Sequence, residues 1–247
     1  MCRLLLYFGK ELDENILNNF LKQATHPKNT PGFDNILDTD FHLDGCGFTW
    51  FNNENKWSLI KYPNIPSSIP HFRNYNGIFI SHLRNQGDSL ASPSIENSHP
   101  FQYKDHIFCH NGKIFNFCRE KLLPHIDSFF IDKIEGQTDS ETIFYLLLSF
   151  FQQTHCMQEA LLSFHNLMNS LEIFYIGNFI WSDVTQTLIC RISNHPEKKP
   201  CSLYYSNNYK LFSSEPLCQF FQQFPEQEIF IIKNDFVPKL KIKKLNV

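Results

Sequence analysis

Cysteine is the second residue of this 247-residue chain, directly behind Met1. Methionine is normally trimmed when the next side chain is small, so Cys2 is expected to become the first residue of the mature chain. A thiol on a terminal residue brings its own base. The α-amine, with an ordinary pKa of about 7.7–8.0, can take the thiol proton, and no histidine partner is required. The plainer alternative is a small thiol packed at the start of a buried strand, since free Cys is often buried.

Three other places could complete the chemistry. Asn111-Gly112 follows an apolar run ending at His110. Amide hydrolysis needs preorganised donors where negative charge develops, and an Asn side-chain amide beside a Gly backbone N–H supplies two. Asn-Gly is equally the commonest hairpin-turn dipeptide, so a turn is the competing expectation. Arg84 follows a second apolar run ending at His82; its planar fork can grip a carboxylate, or it can form a surface ion pair. Asp139 lies in Gly136-Gln137-Thr138-Asp139-Ser140-Glu141, where Thr138 and Glu141 have capping-box spacing. The helix dipole alone favours an acid there, yet Asp139 can also hold an ammonium. One cationic and one anionic clamp are what an amino-acid head group needs.

Other chemistries lack their motifs. His99, His106, Cys109, His110 and Cys118 lie close in sequence without Cys-x-x-Cys or His-Glu-x-x-His spacing, so no metal site is expected. Neither common Gly-rich phosphate loop nor a Gly-x-Ser-x-Gly elbow occurs, and no cofactor is expected.

The elements that must position these residues follow from periodicity. Cys2 to Phe8 reads as a buried strand ended by Gly9. Ile16, Leu17, Phe20 and Leu21 mark a short amphipathic helix, and a long polar loop runs on to about residue 41. Gly47–Phe51 and Trp57–Lys61 flank a polar turn and read as a hairpin. Gly77–His82 and Asp105–His110 predict strands that lead into the turns Leu83–Gly87 and Asn111-Gly112-Lys113. Helical spacing covers Phe115 to about Phe130, Thr138 to about Gln153, and roughly Met157 to Ser170. Strands are expected at Glu172–Trp181, Thr187–Ile192, Leu203–Tyr205, Lys210–Ser214 and Ile229–Lys233, and the basic stretch Lys239–Lys244 reads as a solvated end.

Composition bounds the rest. With 42% hydrophobic and 19% charged residues and 26 Phe, the chain is that of a folded globular protein. One domain over residues 2–247 is expected, since no Pro/Gly/Ser linker or repeat divides it. A formal charge of -3 with scattered Lys and Arg argues against a nucleic-acid partner. No apolar run reaches the roughly 18 residues of a membrane helix and no secretory signal is visible, so a cytoplasmic protein without a membrane partner is expected. The eight Cys, spread from Cys2 to Cys218, read as reduced thiols.

Together the blocks Met1-Cys2-Arg3, His42-Leu43-Asp44-Gly45-Cys46-Gly47-Phe48, Ile80-Ser81-His82-Leu83-Arg84, Asn97-Ser98-His99-Pro100-Phe101, His110-Asn111-Gly112 and Gly136–Glu141 resemble, in this order, class II glutamine amidotransferase domains. The likeness is closest to stand-alone members, the γ-glutamyl hydrolase of ergothioneine synthesis and the amidotransferase-like subunit of the glutathione-degrading complex. The second is nearer, through Met1-Cys2-Arg3 with the downstream Phe8-Gly9-Lys10, and through the helix expected after Asn111-Gly112. The resemblance implies an α+β fold, the four-layer αββα sandwich of N-terminal-nucleophile (Ntn) hydrolases with two stacked, mainly antiparallel sheets. It also implies Cys2 as nucleophile and base, Asn111 and Gly112 as oxyanion hole, Arg84 as clamp for the glutamyl α-carboxylate and Asp139 for its α-amine. Phe212–Leu217 resembles a late structural block of the stand-alone members. Cys46, where an apolar or aromatic residue is usual, and Asn85-Gln86-Gly87, in place of a small-residue run, depart from the pattern near the expected pocket.

The function expected is hydrolysis of a γ-glutamyl amide (glutamine, glutathione or a related compound) through a Cys2 thioester, releasing glutamate and an amine or ammonia. The alternatives are a glutaminase subunit that passes ammonia to a protein partner in trans, and a catalytically silent binding module.

Overall fold

The computed structural model describes residues 2–27, 41–87, 89–208 and 210–234, with the backbone of 240–244. Most of the expected loop after the first helix, at 28–40, lies outside the described residues. In chain order the strands are β1 (Arg3–Gly9), β2 (Cys46–Asn52), β3 (Trp57–Tyr62), β4 (Tyr75–Leu83), β5 (Phe101–Tyr103), β6 (His106–Ile114), β7 (Tyr175–Ser182), β8 (Gln186–Ser193), β9 (Tyr204–Ser206), β10 (Leu211–Ser213), β11 (Phe221–Gln223), β12 (Glu228–Lys233) and β13 (Leu240–Lys244). The helices are α1 (Glu14–Lys22), the one-turn α2 (Ser128–Ile131), α3 (Asp139–Thr154) and α4 (Met157–Ser170).

The strands form two sheets, a seven-stranded one in the order β11-β9-β10-β1-β4-β2-β3 and a six-stranded one in the order β13-β12-β8-β7-β6-β5. Neighbours in both run antiparallel.

Why the strands read as unbroken apolar runs is clear from the layers. Along β1, Leu4, Leu6 and Phe8 face the second sheet and meet Ile107, Cys109, Ile180, Ile189 and Phe230, while Leu5 faces outward onto Leu17 and Phe20 of α1. Both faces are covered, so alternation disappears. The six-stranded sheet is covered likewise, with Phe108, Phe179, Trp181 and Leu188 packed under Phe144, Leu147, Leu161 and Phe164 of α3 and α4. The order is therefore α1, sheet, sheet, α3 with α4, the expected αββα sandwich. Among the described residues no helix is long and apolar enough to cross a membrane.

Several expectations are corrected. Asn111-Gly112-Lys113 is not a turn: β6 runs through it, and β7 pairs with it without interruption from Ile107↔Ser182 to Ile114↔Tyr175. The partner strand overrides the local turn preference. Phe115 to Phe130 is not one helix but two 3-10 turns, Arg119–Lys121 and Leu123–His125, followed by α2; Pro124 has no N–H to give an α-helical ladder. The basic end is not simply solvated, because Leu240–Lys244 is laid as β13 against the edge of β12. Lysines are commonly tolerated on edge strands. The short strands β5 and β11 were not legible in the apolar pattern.

Helix α3 begins where expected. The Thr138 hydroxyl accepts the Glu141 N–H at 3.2 Å. The other half of the capping box is replaced, since the Glu141 carboxylate accepts from Glu135 N (3.0 Å) and Gly136 N (2.7 Å) of the preceding turn. That turn is also held by Asn97, whose Oδ1 accepts the Gln137 N–H at 2.7 Å. Asp139 is thereby fixed at the first helical position.

Candidate active site

A cavity of about 920 Å³ opens where β1 begins, β4 and β6 end, and α3 starts, and its wall includes Cys2, Arg84, Gly112 and Asp139. Antiparallel pairing accounts for the first two. Arg3 lies opposite Leu83, so the residue before β1 and the residue after β4 share one edge of the sheet.

Cys2 is anchored through its neighbours. The Arg3 Nε donates to Glu215 Oε1 at 2.7 Å, with both side chains buried, and the Leu4 N–H donates to Ser214 Oγ at 2.9 Å. The Cys2 Sγ points to the Asn85 carbonyl at 3.6 Å. Burial pushes the thiol above its ordinary pKa, more than nearby positive charge, the Asn85 hydrogen bond and Arg84 pull it down. At neutral pH it is a thiol, and attack on a carbonyl requires a base.

Arg84 is buried, only 3% exposed. Its Nη1 donates to the Asp44 carbonyl at 3.1 Å and its Nη2 to the Ala91 carbonyl. Among the described residues no carboxylate forms an ion pair with it. A buried guanidinium without a counter-ion is costly, and a ligand carboxylate would offset that cost. The early block explains its placement. Asp44 N–H donates to the Arg84 carbonyl at 3.1 Å, Arg84 N–H to the Gly45 carbonyl at 2.8 Å, and Gln86 N–H to Asp44 Oδ2 at 2.8 Å. Gly45 has φ +146°, and a side chain there would strike Ser98.

Asp139 is half-buried and lines the same cavity. Its Oδ2 accepts the Ile114 N–H at 2.8 Å and its Oδ1 the Ser140 hydroxyl at 3.1 Å. Cation and anion thus face one cavity together with a thiol. Such a set can hold the zwitterionic head of an amino acid and present its side chain to a nucleophile.

Asn111 is the candidate that does not line the cavity. Its side chain is fully buried, and Nδ2 lies 3.5 Å from Ser214 Oγ. That distance is the outer limit of a hydrogen bond, so the amide donor is not committed. The histidines divide similarly. His99 and His110 line the cavity, whereas His106 packs on Phe151 and Trp181. His82 stacks on His99 with ring centroids 4.0 Å apart, and burial pushes the His82 pKa down to about 3. Cys46 does not reach the pocket, contrary to expectation. It is fully buried between the sheet and α1, and only Asn85-Gln86-Gly87 of the two departures lines the wall.

Ser214, Glu215 and Ser140 were missed as site supports. The late block Phe212–Leu217 gave a hint for the first two; nothing in spacing reveals that Ser140 reaches His110.

The family model for class-II glutamine amidotransferases matches residues 31–195. The chain is 30% identical over 164 residues to the probable glutamine amidotransferase DUG3 of Saccharomyces cerevisiae, covering 60% of this chain and 45% of that one. It thus spans less than half the length of this curated relative. A glutamine aminotransferase class-II domain protein from Silicibacter pomeroyi superposes with a TM-score of 0.58 at 17% identity, covering 98% of this chain and 99% of that one. The glutamine phosphoribosylpyrophosphate amidotransferase of B. subtilis superposes with a TM-score of 0.64 at 13% identity, over 100% of this chain and 50% of that one. At these identities the two structures speak for the fold.

Proposed function

This chain belongs to the class-II glutamine amidotransferases, and from that premise we propose that it cleaves a γ-glutamyl amide bond through a thioester on Cys2. The observation that carries the proposal is the meeting on one cavity of Cys2, the Arg84 guanidinium, which has no ion pair among the described residues, and the Asp139 carboxylate. Arg84 takes the α-carboxylate and Asp139 the α-ammonium, so the side-chain amide is directed to the thiol.

With Met1 removed, the Cys2 amine takes the thiol proton as sulfur attacks, which answers the raised thiol pKa. The Gly112 N–H on the cavity wall meets the oxyanion; the Asn111 amide, held only loosely by Ser214 at 3.5 Å, turns toward the cavity to join it. The tetrahedral adduct collapses to a thioester as the C–N bond breaks and the amine leaves with the proton, and water then cleaves the thioester to release glutamate and restore the thiol. Glutamine, glutathione and related γ-glutamyl compounds are the substrate class.

A second reading has one observation in its favour. The chain matches the whole of its own length to only half of the B. subtilis amidotransferase, as a glutaminase half that hands ammonia to a synthetase would. Ammonia release that rises only when a partner is added would select it.

Intact-mass analysis of untagged protein, before and after exposure to a diazoketone glutamine analogue, tests the main reading. The expected result is a chain lacking Met1 that gains one adduct, lost in Cys2→Ala. Retained Met1 in active protein, or labelling that survives Cys2→Ala, would overturn it.

A further inference from the structure

Beside the cavity, His110 occupies a seat built from three elements. Its Nδ1 lies 2.9 Å from Ser140 Oγ at the start of α3, and its Nε2 lies 3.3 Å from the Ile176 carbonyl of β7. A Cβ on Gly112 would stand 2.5 Å from Nε2, and one on Gly177, the cross-strand partner of Gly112, would stand 3.2 Å from it. Two facing glycines therefore leave room for this ring, and Phe179 closes it edge-on with centroids 5.0 Å apart.

Hydrogen-bond arithmetic fixes the proton positions. The Ile176 carbonyl can only accept, so Nε2 must carry a proton, and in neutral imidazole Nδ1 is then an acceptor. The Ser140 hydroxyl has one proton and two claimants, His110 Nδ1 at 2.9 Å and Asp139 Oδ1 at 3.1 Å. When His110 is neutral the hydroxyl turns to the ring. When His110 is an imidazolium both ring nitrogens donate, and the hydroxyl turns to Asp139.

We propose that His110 is a positioning residue that, through the single proton of Ser140, sets how much of the Asp139 carboxylate is left to hold the substrate ammonium. This inference rests on the role proposed above for Asp139. Neutral His110 leaves Oδ1 open; protonated His110 fills it with a hydroxyl. The surroundings hold the ring neutral. Burial lowers its pKa against the pull of Asp139 and the Ile176 carbonyl. The N-terminus of α3 presents its positive dipole end. From the sides, His82 Nε2 donates to the His110 carbonyl (3.2 Å), and His99 stacks on His82; both are themselves held neutral by burial. Asp139 is the charged group that opposes them.

Two measurements decide it. In histidine-labelled protein, nitrogen-15 NMR at neutral pH should show His110 protonated on Nε2 alone; an Nδ1–H tautomer or an imidazolium overturns the proposal. In steady state with a γ-glutamyl anilide, KM should rise about fivefold, the order expected for one hydrogen bond, as pH falls below the ordinary imidazole range. The rise should appear in KM rather than kcat, persist in Ser140→Thr and vanish in Ser140→Ala. An equal rise in Ser140→Ala overturns the link. Diazoketone labelling run alongside separates the two readings. Protein that neither labels at Cys2 nor turns over defeats the proposed function, whereas labelled, active protein with an unchanged Ser140→Ala profile defeats only the role of His110.

Discussion

Two buried arginines stand at the same edge of the seven-stranded sheet, Arg3 on β1 and Arg84 just past Leu83, the residue opposite it. Arg3 is closed within the protein by Glu215 at 2.7 Å. Arg84 spends two N–H groups on the carbonyls of Asp44 and Ala91 and meets no carboxylate among the described residues. The difference separates a charge that holds the chain in place from a charge held in place for something else. Glu215 and Ser214 hold the start of β1 beside Cys2; the Asp44 block holds Arg84 on the cavity wall, where the proposed function gives it a substrate carboxylate.

Substitutions can break that contrast. The largest effect is expected from Cys2→Ala, which should lower γ-glutamyl turnover by about 10⁴-fold or more, read by glutamate release. Next, Arg84→Met should cut kcat/KM by about a hundredfold, the worth of a lost charge-assisted carboxylate clamp. Its urea midpoint should stay level or rise, because an uncompensated buried charge is removed. Arg3→Met should do the reverse. Leaving Glu215 buried without the Arg3 guanidinium is expected to cost about 3–5 kcal/mol, and Arg3→Met with Glu215→Leu should recover much of it in urea unfolding. Equal behaviour of the two arginines would dissolve the contrast.

A smaller effect comes from pH. His82 has a folded pKa of about 3 against an ordinary 6.5. The unfolded chain therefore binds the extra proton first, and stability should fall as pH drops from 6.5 toward 3. Urea midpoints of His82→Phe across that window should fall less steeply than wild type. The smallest effect is expected at Leu90, which is 95% exposed on the cavity wall. Leu90→Ser should change stability by no more than about 0.5 kcal/mol, and a shift in KM for bulky γ-glutamyl amides would show that this wall meets the leaving group.

Much of the fold was legible because its signals are local. The apolar runs of β1, β4 and β6, the hairpin of β2 and β3, and the periodicity and Thr138 start of α3 are all written in neighbouring residues. Cys2, Arg84, Gly112 and Asp139 could be picked out by type as candidates, and all four line one cavity. Elsewhere local signals misled. Asn111-Gly112 has the composition of a turn, and only eight rungs of pairing with β7, from Ile107 to Ile114, keep it extended. Lys239–Lys244 has the composition of a solvated tail, and only the free edge of β12 makes part of it a strand.

Sequence by itself therefore determined which reactive side chains are available and most of the longer strands and helices, because both depend on residue type and short spacing. Tertiary structure alone decided the state of each group. It joined Arg3 to Glu215 across 212 positions, left Arg84 without a carboxylate among the described residues, and hid Cys46 from the pocket. It also set one hydroxyl proton of Ser140 between His110 and Asp139. Charge, desolvation and proton position depend on what lies within a few ångströms, and residues distant in the chain supply that neighbourhood.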